Sequence, residues 1–114
     1  MLSDNWQRIH GLYETCIARS GTPYQEFGEK MLALLEAIWA DDELNQCVLS
    51  TSMYSLLLGT SDISHNVYIS WQDDSKAYVV CITSDKDDIL ESNTIEETIT
   101  NIRSALKKLQ ENEA

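Results

Sequence analysis

Basic residues are scarce in this chain. Eight lysines and arginines face 19 aspartates and glutamates, a formal net charge of −11 over 114 residues. The eight are scattered, and the closest pair is Lys107–Lys108. A nucleic-acid surface needs clustered cations that displace counterions from phosphates. Direct nucleic-acid binding is therefore not expected. Such acidity serves solubility, or attraction to a basic partner.

Long apolar runs are also missing. No stretch approaches the roughly 18–20 continuous apolar residues of a membrane span. Met1-Leu2-Ser3-Asp4-Asn5 has neither the cationic start nor the apolar stretch of a signal peptide. Cysteine occurs three times, at 16, 47 and 81, without a C-x-x-C pair. An odd, sparse set suits a reducing compartment better than a disulfide framework or a zinc knuckle. These absences together predict a cytoplasmic protein with no membrane partner.

The four glycines are isolated and proline occurs once. There is no phosphate-cradling loop, no G-x-S-x-G elbow and no H-E-x-x-H helix. Linkers, internal repeats and low-complexity segments are absent as well. The sequence thus names no catalytic residue, no cofactor and no metal ligand set, and no motif identifies a family.

What is present is an ordinary core. With 43% hydrophobic residues, a chain of this length buries roughly two-thirds of its unfolded surface without staples. One domain over 1–114 is expected.

Apolar periodicity places the elements. Trp6, Ile9, Tyr13, Cys16 and Ile17 recur at three- and four-residue spacings, predicting a helix over about 4–20 capped by Ser3 or Asp4 and closed by Gly21. Thr22-Pro23-Tyr24-Gln25 reads as a capping box with Pro23 at the first helical position. It opens a helix over 23–40 with Tyr24, Phe27, Met31, Leu34, Leu35 and Ile38 on its core stripe. The very short connection makes the pair an αα-hairpin. Asp41-Asp42-Glu43 breaks the period and caps one further turn through Gln46.

The texture then changes. Residues 53–58 read as a strand, with a buried helical turn at Tyr54–Leu58 as the alternative. Val67, Ile69 and Trp71 alternate with Tyr68 and Ser70, and Tyr78, Val80 and Ile82 alternate with Ala77, Val79 and Cys81. Strands over 67–71 and 76–83 joined by Gln72–Ser75 form a hairpin, the clearest β signal in the chain. Both faces of 76–83 are apolar, which puts that strand inside the sheet. Ser84–Asp88 reads as an acidic connection and 89–91 as at most a short edge strand. Thr94-Ile95-Glu96-Glu97 is a second capping box, opening a helix over 95–110 with Ile95, Ile99, Ile102, Leu106 and Leu109 on one stripe. Segregated helices and strands predict a two-layer α+β fold: an N-terminal αα-hairpin, an antiparallel β-meander of three or four strands, and a C-terminal helix.

Chemistry is thin. His10 lies at the margin of the first helix's stripe, and His65 sits in a loop. Cys16 and Cys81 fall on apolar stripes, where thiols behave as small hydrophobes; Cys47 has no base placed beside it. Asp85-Lys86-Asp87-Asp88 fails as a calcium loop, because Ile89 and Leu90 stand where an oxygen ligand and a glycine are required. Asp62, His65, Asp85, Asp87 and Asp88 are expected at one end of the sheet, and Asp73 and Asp74 at the other, roughly 25 Å away for an eight-residue strand. The two groups cannot share an ion. The first is a solvated acidic cluster, a partner contact, or a weak divalent-cation site.

Residues 62–97 hold nine acidic residues against Lys76 and Lys86, a net charge of −7. Such a field accelerates encounter with a cationic protein. The preferred reading is therefore a protein-binding module, in outline like an antitoxin or immunity-type inhibitor of a basic partner. Its contact residues are Asp62, His65, Asp85, Asp87 and Asp88, with Asp73 and Asp74 as a second patch. The alternative is an adaptor, chaperone or assembly subunit acting as a homodimer through an apolar patch at Tyr54, Tyr68 and Trp71. An enzyme built around His65 comes last.

Overall fold

The computed structural model describes the backbone of residues 4–52, 54–59, 66–82 and 85–113, and the side chains within them except at 4–5, 52, 85–88 and 110–113. Helices α1 (Asp4–Ile17) and α2 (Pro23–Ala40) precede a 3₁₀ turn at Leu44–Gln46. Five strands follow: β1 (Val48–Ser52), β2 (Ser55–Gly59), β3 (Val67–Gln72), β4 (Ala77–Ile82) and β5 (Asp85–Ser92). Helix α3 (Ile95–Glu113) closes the chain. The sheet is antiparallel in the order β1-β2-β3-β4-β5, a pure meander. The expected α+β architecture stands, with five strands in place of three or four.

Two segments correct the sequence reading. Val48–Gly59 is a whole hairpin, not one strand over 53–58, and Ser52 pairs with Ser55 across its turn. The Asp85–Asp88 stretch is the first half of β5, not a connection. An edge strand tolerates charge, because one of its sides needs no partner. Its pairing with β4 is irregular between Val80 and Ile82, where Leu90 and Asp85 are the respective partners. This bulge absorbs the extra residues of the acidic run.

Helix α1 ends at Ile17, three residues before the expected limit. The Arg19 amide bonds the Cys16 carbonyl, tightening the end into a turn. Gly21 takes φ +84, as a helix-ending glycine does. The capping box expected at Thr22 does not form. Gln25 Oε1 accepts the Gly21 amide at 3.1 Å, while the Thr22 hydroxyl donates to the Arg19 carbonyl and caps nothing in α2. At α3 the Glu97 amide donates to Thr94 Oγ1 at 3.2 Å, as the box there requires.

All three helices lie on one face of the sheet: α1 against β1, α2 against β3, and α3 against β3, β4 and β5. The register puts the rows Leu49-Leu58-Val67-Ile82 and Leu56-Ile69-Val80-Leu90 beneath them, with Trp71 beside Tyr78. Ile9, Tyr13, Met31, Leu34, Leu35, Ile38, Ile102 and Leu109 close this core from above. Tyr24 does not join it. It is 48% exposed and lines a groove with Pro23, Phe27, Tyr54 and Asp73 instead.

Gly28 sets the spacing of α1 and α2. A Cβ there would stand 2.7 Å from the Tyr13 carbonyl oxygen and 2.8 Å from Cys16 Cβ. Only hydrogen lets the two backbones come this close.

Candidate functional site

The face of the sheet turned away from the helices is the first surface of note. Alternation assigns it Val48, Ser50, Leu57, Tyr68, Ser70, Val79, Cys81 and Ile89, with Ser55, Gly59, Gln72 and Ala77 between them. Glu91, opposite Val79, is the charged residue among its described positions. Val48 is 45% and Ile89 48% exposed, and Leu57, Tyr68 and Val79 are half-buried. No described helix lies over them. On a chain carrying −11, so few charges among the described side chains of a whole face are the exception. Ser55 Oγ donates to Tyr68 Oη at 2.9 Å, which fixes the tyrosine ring across β2 and β3.

The second surface is a groove at the turn end of the sheet. Pro23, Tyr24 and Phe27 from the start of α2, Tyr54 from the β1–β2 turn and Asp73 from the β3–β4 turn enclose about 240 Å³. Tyr54 adopts φ +78, a left-handed conformation that suits glycine or asparagine at a hairpin turn. The hydroxyl of fully buried Tyr13 donates to its carbonyl oxygen at 2.8 Å. On the groove's rim, Lys76 Nζ lies 2.7 Å from both Asp73 Oδ1 and Glu26 Oε1. This bridging ammonium, first through its hydrogen bond, lowers the Asp73 carboxyl below the usual range. The Arg19 guanidinium lies 5.3 Å from the Tyr24 ring centroid.

A third cavity of about 320 Å³ lies between the 3₁₀ turn and α3, lined by Glu43, Leu44, Cys47, Arg103, Leu106 and Lys107. Asp41 organises this corner. Its Oδ1 accepts the amides of Glu43 and Leu44 at 2.9 and 3.0 Å, and its Oδ2 accepts from Arg103. The Leu44 amide, then the Glu43 amide and the Arg103 charge, hold the carboxyl below its ordinary value. Burial, and secondarily the Asp41 charge, push the Cys47 thiol up. Burial also raises the Cys16 thiol. Neither thiol is poised as a nucleophile at neutral pH.

The sequence-derived contact residues fare unevenly. Asp62 and His65 lie outside the described residues. Asp85, Asp87 and Asp88 have their backbone in β5, and their side chains lie outside the description. The register does set Asp85 opposite Ile82, at the far end of β4 from the Asp73–Asp74 turn. Strand β4 has six residues, so the separation is about 20 Å rather than 25 Å. Asp73 and Asp74 are exposed, and Asp73 joins the groove rim.

Of the proposed apolar patch, Tyr68 is on the outer face and Tyr54 in the groove. Trp71 is buried under the helices with Lys30 Nζ 5.0 Å from its ring, so the three do not form one patch. The Trp71 Nε1 atom has no hydrogen-bond acceptor among the described residues. His10 stacks near Trp6 at 4.9 Å and bonds Glu14 at 3.0 Å. Among the described residues no group of three His, Cys, Asp or Glu side chains is placed to hold a metal ion. No described helix is long and apolar enough to cross a membrane.

Sequence reasoning missed the neutral outer face because it needs the strand neighbours. The groove was missed because Tyr24 and Phe27 sit on what reads as a core stripe. The chain matches no protein-family model, no curated protein and no solved structure at a significant level.

Proposed function

We propose that this chain is a protein-binding module, not an enzyme, that seats a basic protein partner on the outer face of its sheet. The observation that carries this reading is the partly apolar outer face, which among the described side chains carries the single charge of Glu91, on a chain of net charge −11. An uncharged centre supplies desolvated contact area, and an acidic surround steers a cationic partner and excludes acidic ones. Blocking the basic surface of another macromolecule, as antitoxin and immunity-type inhibitors do, is the use such a surface fits. Raised thiol pKa values at Cys16 and Cys47 support binding over nucleophilic chemistry. Cys16, Cys47 and Cys81 form no disulfide, which supports a reducing, cytoplasmic setting.

Affinity capture from the native cell at low and high salt tests the reading. The wild-type chain retains a basic protein at low salt, loses most of it at high salt, and Val79→Lys abolishes capture by placing a cation at the centre of the face. Capture that ignores Val79→Lys sinks the sheet-face assignment.

The same face favours a second reading, a homodimer packed sheet to sheet. Salt separates the two. Screening relieves repulsion between two copies of charge −11, so salt strengthens self-association while it weakens the basic complex.

A further inference from the structure

The groove at the turn end of the sheet is a separate surface, and it has its own chemistry. Three aromatic side chains, Tyr24, Phe27 and Tyr54, meet around about 240 Å³, with Pro23 and Asp73 completing a largely apolar lining. Tyr24 and Tyr54 stay 48% and 39% exposed. Exposed rings around a concave site attract cations through their quadrupoles. Arg19 already lies against Tyr24 in this way. The rim carries Asp73 and Glu26 against Lys76 and Arg19, so these charges balance and the rings supply the attraction.

The backbone adds an independent sign. A two-residue hairpin turn accepts glycine or asparagine at the position of Tyr54 without strain, and a tyrosine there costs stability. The buried Tyr13 hydroxyl holds that strained residue in place. The strain sets a large aromatic ring at the mouth of the groove.

We infer that the groove captures one lysine or arginine side chain of a protein partner. The aliphatic stem lies along Pro23 and Phe27, and the cationic head sits between the rings of Tyr24 and Tyr54 beside Asp73. A cavity below the size of drug-like sites suits one side chain. This inference takes from the proposed function only that the partner is a basic protein, and it uses a different surface.

Small probes test it without the partner. N-acetyl-lysine methylamide and N-acetyl-arginine methylamide are titrated into the full chain while the aromatic proton resonances are followed by NMR. The neutral control is N-acetyl-norleucine methylamide. Saturable shifts at Tyr24, Phe27 and Tyr54 are expected with both cationic probes, and affinity for norleucine is lower by at least several-fold. Tyr24→Ala weakens the lysine probe roughly two- to thirty-fold, the range for one cation–ring contact. Tyr54→Gly, which keeps the turn geometry, weakens it similarly.

Equal affinity for norleucine and lysine overturns the cation assignment. Saturable binding unchanged in both variants, or no saturable shift, overturns the site. Val79→Lys, which disables the proposed sheet-face contact, leaves the ring shifts intact. Failure of the sheet-face reading is thereby distinguished from failure of the groove.

Discussion

The hydroxyl of Tyr13 and the carbonyl of Tyr54 are 41 residues apart in sequence and 2.8 Å apart in space. The bond ties α1 to the β1–β2 turn, so a buried group of the helix layer fixes a turn residue of positive φ. Tyr13→Phe is expected to cost about 1 kcal/mol, the net worth of one such bond. Tyr54→Gly removes the strain and is expected to leave stability unchanged or raise it by up to about 1 kcal/mol. Urea denaturation of both variants checks the pair. A large loss in Tyr54→Gly would show that the ring itself holds the turn.

Gly28→Ala tests the α1–α2 contact. Alanine gains about 1 kcal/mol of helix propensity over glycine. Its Cβ must displace the Tyr13 carbonyl oxygen at 2.7 Å, which is backbone and cannot swing aside. Overpacking of about 1–3 kcal/mol outweighs the gain. A lower melting temperature is the expected result.

Asp41→Ala removes the acceptor of two amides and the Arg103 partner. The loss of the cap is expected to be about 1 kcal/mol at neutral pH. Because the folded carboxyl titrates below its unfolded value, its contribution is complete above the unfolded pKa of about 4 and disappears as pH falls through the lowered folded value. Wild type and variant therefore converge in stability at low pH. Denaturation midpoints measured from pH 6 down to pH 2 show this directly.

Tyr78 contributes on the alkaline side, as does the fully buried Tyr13, whose hydroxyl burial pushes up further. The Tyr78 hydroxyl donates to the Lys30 carbonyl at 2.8 Å, and burial pushes its pKa up to about 12. The folded chain keeps the proton longer than the unfolded chain, so this contribution is full below pH 10 and is lost as pH rises towards 12. Tyr78→Phe lowers stability at pH 8 yet flattens its decline between pH 10 and 12. An equally steep decline in the variant would assign the loss to other groups.

Helices and the β3–β4 hairpin were legible because their apolar periods are long and clean. Ile9, Tyr13 and Cys16, or Leu34, Leu35 and Ile38, fall at helical spacing and are buried. The β1–β2 hairpin was not, since no glycine, asparagine or aspartate stands anywhere between Val48 and Leu58 to mark a turn. Strand β5 was hidden by Asp85, Asp87 and Asp88, residues of low strand propensity that an edge position accommodates. One clue was present: a strand apolar on both faces, as 76–83 is, needs neighbours on both sides. The groove was illegible for another reason. Tyr24 shares the period of the core stripe, and its exposure depends on tertiary packing that the period does not encode. Asp73 was placed correctly at a turn, but its partner Lys76 also bonds Glu26, 50 residues away in sequence.

The meander has a kinetic corollary. Every strand pairs with its immediate predecessor in the chain, so the sheet assembles by closing short loops in succession, each of low entropic cost. No parallel crossover has to wait for distant segments to meet. Folding in this chain is accordingly expected towards the rapid end of mixed α/β domains, with the docking of α3 onto β4 and β5 completing the barrier crossing.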